Sequence, residues 1–193
     1  VVLRMTPAKL PPHVRQLIVG AGFGGLGMAI KLAESGENDF RVIERGPDVG
    51  GTWRDNTYPG VACDVPSQLY SYSFAPNPAW SSSFSPGHEI QSYIRGVADN
   101  SGVLDRFVFN TSFDGATWDD AAAVWRIRTS AGEMTANFLI NAAGGLVEPK
   151  LPEIDGIDTF QGEIFHTARW NHDIDLTGKR VAVVGTGASA IQV

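Results

Sequence analysis

Near each end of the chain a glycine-rich triplet follows a run of β-branched residues. Gly20-x-Gly22-x-x-Gly25 comes after Val14 to Val19, and Gly185-x-Gly187-x-x-Ala190 comes after Val181 to Val184. Between a strand and a helix, such a triplet can receive a pyrophosphate. The first glycine makes the tight turn, the second lets the phosphate approach the backbone, and the third lets the helix pack on the strand. The start of the helix adds free N–H groups and the positive end of its dipole. The residues assigned to this contact are Gly20, Gly22, Phe23, Gly24 and Gly25 in the first loop, and Gly185, Gly187 and Ser189 in the second. The pattern alone is weak, because 22 glycines among 193 residues give roughly 0.3 chance matches. Glu44 strengthens the first loop by ending the next apolar run, 19 residues after Gly25, with Arg45 beside it. A carboxylate there accepts hydrogen bonds from both ribose hydroxyls and repels a 2′-phosphate, which suits FAD or NAD rather than NADP.

Two rarer patterns lie between the loops. The first, Gly51-x-Trp53-x-x-x-x-Tyr58-Pro59-Gly60-x-x-x-Asp64, has six fixed positions including a tryptophan and a proline. Its chance occurrence is far below about one in a thousand. The second is Phe160-x-Gly162-x-x-x-His166-x-x-x-Trp170. On residue type alone, Trp53 and Tyr58 also read as core aromatics, Asp64 as a turn residue and His166 as a hydrogen-bonding residue in a linker. As a pair, the two patterns resemble the fingerprints of Baeyer–Villiger monooxygenases. The likeness runs on through Tyr70-Ser71-Tyr72-Ser73-Phe74, Trp80, Glu89 and Tyr93, and covers nearly all of residues 14 to 193.

The resemblance implies an enzyme that uses FAD and NADPH to insert one oxygen of dioxygen into a ketone, giving an ester or lactone. It places Gly51, Thr52, Trp53, Asp64 and Tyr70 along the flavin. It gives Asp64 a catalytic part, supporting an arginine that stabilises the anionic peroxyflavin; an ionised carboxylate orients a guanidinium through charge-assisted hydrogen bonds. His166 and Trp170 fall at the junction of the FAD and NADP domains and position the nicotinamide, with no general-base role for His166. The family continues after the tryptophan with Pro or Asp, whereas this chain has Asn171. The sister flavin monooxygenases, which oxidise nitrogen and sulfur nucleophiles, carry a related motif and form the alternative within enzymes. A non-catalytic FAD-binding remnant is the alternative of another class.

Positioning these residues calls for an α/β fold of two dinucleotide-binding domains. The spacing predicts a strand over Val14 to Val19, a helix from about Phe23 to Ser35 stopped by Gly36, and a strand over Phe40 to Glu44. Residues 45 to 87 are rich in Gly, Pro, Ser and aromatics, too long for a plain connection and therefore functional. A helix over His88 to Asn100 follows. Antiparallel strands are then expected over Phe107 to Phe113, Ala123 to Thr129 and Met134 to Ile140, with a hairpin at Ser130 to Glu133. Asn141-Ala142-Ala143-Gly144-Gly145 closes the domain with residues small enough for a ligand to approach; Ala143 and Gly144 are assigned to the cofactor. Arg180 to Val184 is expected to begin another strand with an open edge. The domains read as a disordered arm over 1–13, a Rossmann-like FAD domain with an antiparallel insertion over 14–150, a linker over 151–178 and the start of an NADP domain over 179–193.

Composition bounds the rest. The chain is 43% hydrophobic and 19% charged with a net charge of −6, so nucleic acid is a poor partner. Its longest apolar stretch is glycine-broken and shorter than the roughly 20 residues of a membrane span. Cys63 is the only cysteine, which excludes an intramolecular disulfide and fits a cytoplasmic setting. The histidines and Cys63 lack metal-ligand spacing. The expected partners are a ketone and dioxygen; no feature specifies an oligomeric state. The second loop ends at Val193, so the chain reads as an N-terminal fragment, inactive alone.

Overall fold

The computed structural model describes residues 9–146 and 148–193. Residues 1–8 of the expected arm lie outside the described residues, and His13 already belongs to the first strand. The chain divides into two compact units, Val1–Gly51 with Gln91–Gly144 and Thr52–Ile90 with Gly145–Val193.

The first unit is built on a six-stranded sheet. Its strands are β1 (His13–Val19), β2 (Phe40–Ile43), β3 (Phe107–Val108), β4 (Phe113–Asp119), β5 (Val124–Thr129) and β6 (Gly132–Asn141), in the order β3-β2-β1-β6-β5-β4. The four strands β3, β2, β1 and β6 run parallel, and β5 and β4 continue antiparallel from β6. As a central strand, β1 is covered on both faces: Leu17 and Ile18 are fully buried, as are Phe40 and Val42 in β2. Each such side chain contributes about 1.5–3 kcal/mol by leaving water.

Parallel β1 and β2 require a crossover, supplied by helix α1 (Phe23–Glu34), which buries Leu26, Ala29 and Ile30. Its end is a Schellman motif: Glu37 N–H donates to Leu32 O and Gly36 N–H to Ala33 O, both at 3.0 Å. Two further helices are α2 (Thr52–Asp55) and α3 (Gly87–Ser101). Within the first unit, α3 supports the segment after β2. Gln91 donates to Val49 O at 2.9 Å, Arg95 pairs with Asp48 and Asp99, and Tyr93 stacks on Phe23.

The run expected as one strand over Phe107 to Phe113 is two. Asn110 adopts a left-handed backbone (φ 55) and turns the chain out of β3, which pairs parallel with β2; β4 starts afresh at Phe113. The β5–β6 hairpin forms where expected, with Thr129 paired to Gly132. One strand, β6, serves both parts of the sheet, pairing antiparallel with β5 and parallel with β1 from Thr135 to Asn141. That pairing carries Asn141 to Gly144 to the end of β1.

The second unit is mostly irregular. The segment 61–67 folds back on 82–87: Cys63 N–H donates to Ser85 O, Gly87 N–H to Val61 O and Ser67 N–H to Ser83 O. The buried Ser67 hydroxyl bonds Ser82 O at 2.8 Å and Ser85 Oγ at 2.7 Å. Glu89 accepts from both the amide and the hydroxyl of Ser81. Short 3-10 turns occupy Ile157–Thr159 and Thr167–Arg169, and the final helix is α4 (Ala188–Gln192). The strand expected over Arg180 to Val184 does not form. Among the described residues no strand lies alongside to pair with it, and Val181, Val183 and Val184 are 54%, 49% and 69% exposed. No described helix is long and apolar enough to cross a membrane.

Candidate functional site

In the first unit β1 ends at Val19 and the chain turns sharply at Gly20, whose φ is +101. A Cβ on Gly20 would lie 2.6 Å from Ala142 O, so only glycine admits the end of β6 beside this turn. Gly25 closes the turn, because a Cβ there would collide with Gly20 O. Gly22 is different. It caps α1 in extended conformation, and the nearest atom to an added Cβ is Gly51 Cα at 3.7 Å. Its missing side chain therefore leaves a bare backbone face rather than a packing contact. Gly24 meets only Ala142 Cβ at 3.6 Å. The first-turn amides of α1, including those of Gly24 and Gly25, have no acceptor within the helix.

Glu44 is 5% exposed and sits at the mouth of this turn. Its Oε2 accepts the Ala21 amide at 2.8 Å and its Oε1 the Gly46 amide at 2.7 Å. Its own backbone is bracketed by β3 and the following turn, through Val108 O and the Thr111 amide. The carboxylate is thus fixed by the glycine loop on one side and the 44–51 segment on the other. Gly50 N–H donates to Ala21 O at 2.9 Å and carries Gly51 over Gly22. Arg45, Ala143 and Gly144 are exposed. Of the residues assigned from sequence, this unit gathers Gly20, Gly22, Phe23, Gly24, Gly25, Glu44, Gly51, Ala143 and Gly144 around one loop. A bare glycine face, first-turn amides and a buried, oriented carboxylate fit the pyrophosphate and ribose of a dinucleotide.

The second unit holds the aromatic residues. Trp53 Nε1 donates to the Tyr70 hydroxyl at 3.0 Å, and the rings meet edge to face at 5.5 Å. Burial pushes the Tyr70 phenol up from its ordinary value against the pull of the Trp53 hydrogen bond, and the nearby Cys63 and Asp64 add to the rise. The Cys63 thiol, 3% exposed, is likewise raised by burial. Asp64 lies at an exposed bend, and no hydrogen bond or ion pair among the described residues engages its carboxylate. Thr52 accepts the Asn56 amide in α2.

His166 caps the 3-10 turn at Thr167–Arg169, its Nδ1 accepting the Ala168 amide at 3.0 Å. That bond leaves Nε2 to carry the ring proton of the neutral form. Trp170 packs edge to face on Phe165 at 5.0 Å, and Phe160 is 62% exposed. In the second loop Gly185 has a φ of +130 and Gly187 caps α4. Ser189 Oγ lies 3.1 Å from the Tyr58 hydroxyl. Sequence reading missed Gln192, to which Tyr58 donates at 2.6 Å; its place just after the second triplet was the available signal. Also missed were the Ala21 and Gly46 amides on Glu44, which side-chain patterns do not encode. Among the described residues no group of three His, Cys, Asp or Glu side chains could hold a metal.

A family profile described as pyridine nucleotide-disulphide oxidoreductase matches residues 17–193. A Baeyer-Villiger monooxygenase of Streptomyces coelicolor is 52% identical over 181 residues, which are 94% of this chain and 35% of the relative. An oxidised steroid monooxygenase bound to NADP superposes with a TM-score of 0.82 at 42% identity, over 93% of this chain and 36% of the other. The OTEMO complex with FAD and NADP superposes with a TM-score of 0.85 at 36% identity, over 95% and 36% of the two chains. The chain thus spans about a third of the length of these proteins.

Proposed function

The chain belongs to the pyridine nucleotide-disulphide oxidoreductase family, and on that premise we propose that it supplies the FAD-binding part, and the beginning of the NADP-binding part, of a Baeyer–Villiger monooxygenase. The boundaries we assign are 14–150 for the FAD domain, 151–178 for the linker and 179–193 for the start of the NADP domain. The bare face at Gly22 beside the clamped Glu44 carboxylate carries the FAD assignment. A 52% identity to a Baeyer-Villiger monooxygenase over 94% of this chain supports the reaction class.

When bound, the flavin supplies the redox chemistry by which one oxygen of dioxygen enters beside a ketone carbonyl. The residues of this chain bind and orient. The α1 amides take the FAD pyrophosphate, and Glu44 takes the ribose hydroxyls. Gly51, Thr52, Trp53, Tyr70, Arg45, Ala143 and Gly144 are the further residues that would hold the cofactor. Asp64 holds an arginine guanidinium in place, its exposed carboxylate being ready to accept a bidentate pair. Gly185, Gly187 and Ser189 take the NADPH pyrophosphate, and His166 and Trp170 position the nicotinamide. The lone, buried Cys63 suits the reducing cytoplasm.

The test is product analysis in the whole protein with NADPH, dioxygen and a panel of ketones and thioethers. Ester or lactone formation is expected. Sulfoxide formation without any ester would move the protein to the sister monooxygenases, and no oxygenation at all would leave a dinucleotide-binding module. Asp64→Ala should retain NADPH-driven flavin reduction while ester yield falls about 10²-fold or more, as when one group stabilising developing charge is removed, and peroxide release rises. Unchanged ester yield would remove Asp64 from the chemistry.

A further inference from the structure

The aromatic motif and the second glycine loop meet at one side chain of the second unit. Gln192 ends α4, and its carboxamide is bracketed: Oε1 accepts the Tyr58 hydroxyl at 2.6 Å and Nε2 donates to Ala62 O at 2.8 Å. The Tyr58 oxygen also lies 3.1 Å from Ser189 Oγ, one turn earlier in the same helix. Tyr58 is 5% exposed, and its partners Ser189 and Gln192 are half-buried. Gly60 completes it from the other side. Its φ is +84, and any Cβ there would collide with Gln192 O. The Tyr-Pro-Gly step and Ala62 therefore close around the end of α4.

The bonds from Tyr58 and Ala62 hold α4 at Ser189 and Gln192, and with it the direction of the Gly185–Ala190 backbone. We propose that Tyr58 is a positioning residue for the second dinucleotide loop, acting through Gln192 and Ser189 to fix the donors that take a nicotinamide dinucleotide's pyrophosphate. This rests on reading Gly185–Ala190 as that loop. It also gives the Tyr58-Pro59-Gly60 step of the first motif a role distinct from that of Trp53 and Asp64. A tyrosine kept only for its ring would lose nothing as phenylalanine, whereas this one works through its hydroxyl.

The experiment compares Tyr58→Phe, Gln192→Leu and the double variant with the wild type in the whole, FAD-loaded protein. Three quantities are read: NADP+ affinity by titration, bound flavin by absorbance, and amide hydrogen exchange across 186–193. Tyr58→Phe should weaken NADP+ binding about fivefold to tenfold with flavin content unchanged. Gln192→Leu should do the same, and the double variant should fall short of the sum of the singles, because both break the Tyr58–Gln192 bond. Exchange across 186–193 should quicken in all three. Unchanged NADP+ affinity in Tyr58→Phe, or effects that add in the double variant, would overturn the positioning role. If the wild type binds no NADP+, the reading of the second loop falls; unchanged exchange in Tyr58→Phe sinks the latch alone. Should Tyr58→Phe fold poorly, Gln192→Leu answers the same question from the other end of the bond.

Discussion

At the scale of single residues, the most informative side chain is Glu44, because its carboxylate is already occupied before any nucleotide arrives. Each oxygen accepts a backbone amide, from Ala21 and Gly46, in a site that is 5% exposed. A carboxylate oxygen has a second lone pair, so the same group can take ribose hydroxyls while it holds the loop. Glu44→Gln separates the two tasks. The amide keeps one acceptor but turns an NH2 group toward one of the two N–H donors. That loss should cost the cofactor-free protein about 1.5–3 kcal/mol, the range for a hydrogen bond to a charged group. Urea unfolding of apo-protein measures it; a variant as stable as wild type would mean that Glu44 serves the ligand alone. Trp53 and Tyr70 make the complementary point. Their hydrogen bond and edge-to-face packing hold the two rings together within the protein, whichever face a ligand would meet.

At the scale of elements, the β1–α1 turn assigns different work to glycines that look alike in sequence. An alanine at position 20 would meet Ala142 O at 2.6 Å from a backbone at φ +101, so Gly20→Ala should disrupt the turn itself, by more than the roughly 1–3 kcal/mol of backbone strain alone. An alanine at position 22 meets nothing closer than 3.7 Å, so Gly22→Ala should fold within about 1 kcal/mol of wild type, yet bury the face the pyrophosphate needs. Thermal melts with and without FAD distinguish them: Gly22→Ala is expected to lose the stabilisation by FAD while keeping the apo melting point. Equal responses to FAD in Gly22→Ala and wild type would remove the pyrophosphate from this loop. Elements with one dominant period were legible in sequence. The short buried run of β1, the α1 face of Leu26 and Ile30, α3 and the β5–β6 hairpin stand within about one or two residues of expectation, the usual uncertainty of element ends. The break at Asn110 was not legible, because a left-handed backbone at one polar residue leaves the apolar pattern on both sides intact. Nor was the dual pairing of β6, or the unpaired state of Val181 to Val184; pairing depends on what lies alongside, which no local window records. The site divides the same way. The β1–α1 glycine turn and the place of Glu44 beside it were readable from spacing, whereas the amides that clamp Glu44 and the hold of Tyr58 on Gln192 arise only when distant segments meet.

At the scale of the whole molecule, the charge balance sets how stability responds to pH. The chain carries a net charge of −6 at neutrality, so raising the pH adds to an existing surplus of negative charge and to its self-repulsion. The buried Cys63 and the half-buried Tyr70 act in the same direction. Burial holds the Cys63 thiol and the Tyr70 phenol protonated beyond their ordinary values, Tyr70 despite the opposing Trp53 hydrogen bond. In the unfolded chain these groups lose their protons at about pH 8.5 and about pH 10. Between each of those values and its higher folded counterpart, the native state binds more protons than the unfolded state, so stability falls as pH rises. Their contribution is complete below about pH 8 and is lost through the alkaline range. Urea midpoints should therefore hold steady from neutrality to about pH 8 and then decline. Cys63→Ala, which removes the group that titrates first, should delay the onset of that decline even if the smaller side chain lowers the midpoint at every pH. The buried thiol should also react with iodoacetamide more slowly at neutral pH than a free thiol, because so little of it is thiolate. An alkaline decline that begins at the same pH with and without Cys63 would assign the effect to the net charge rather than to the thiol.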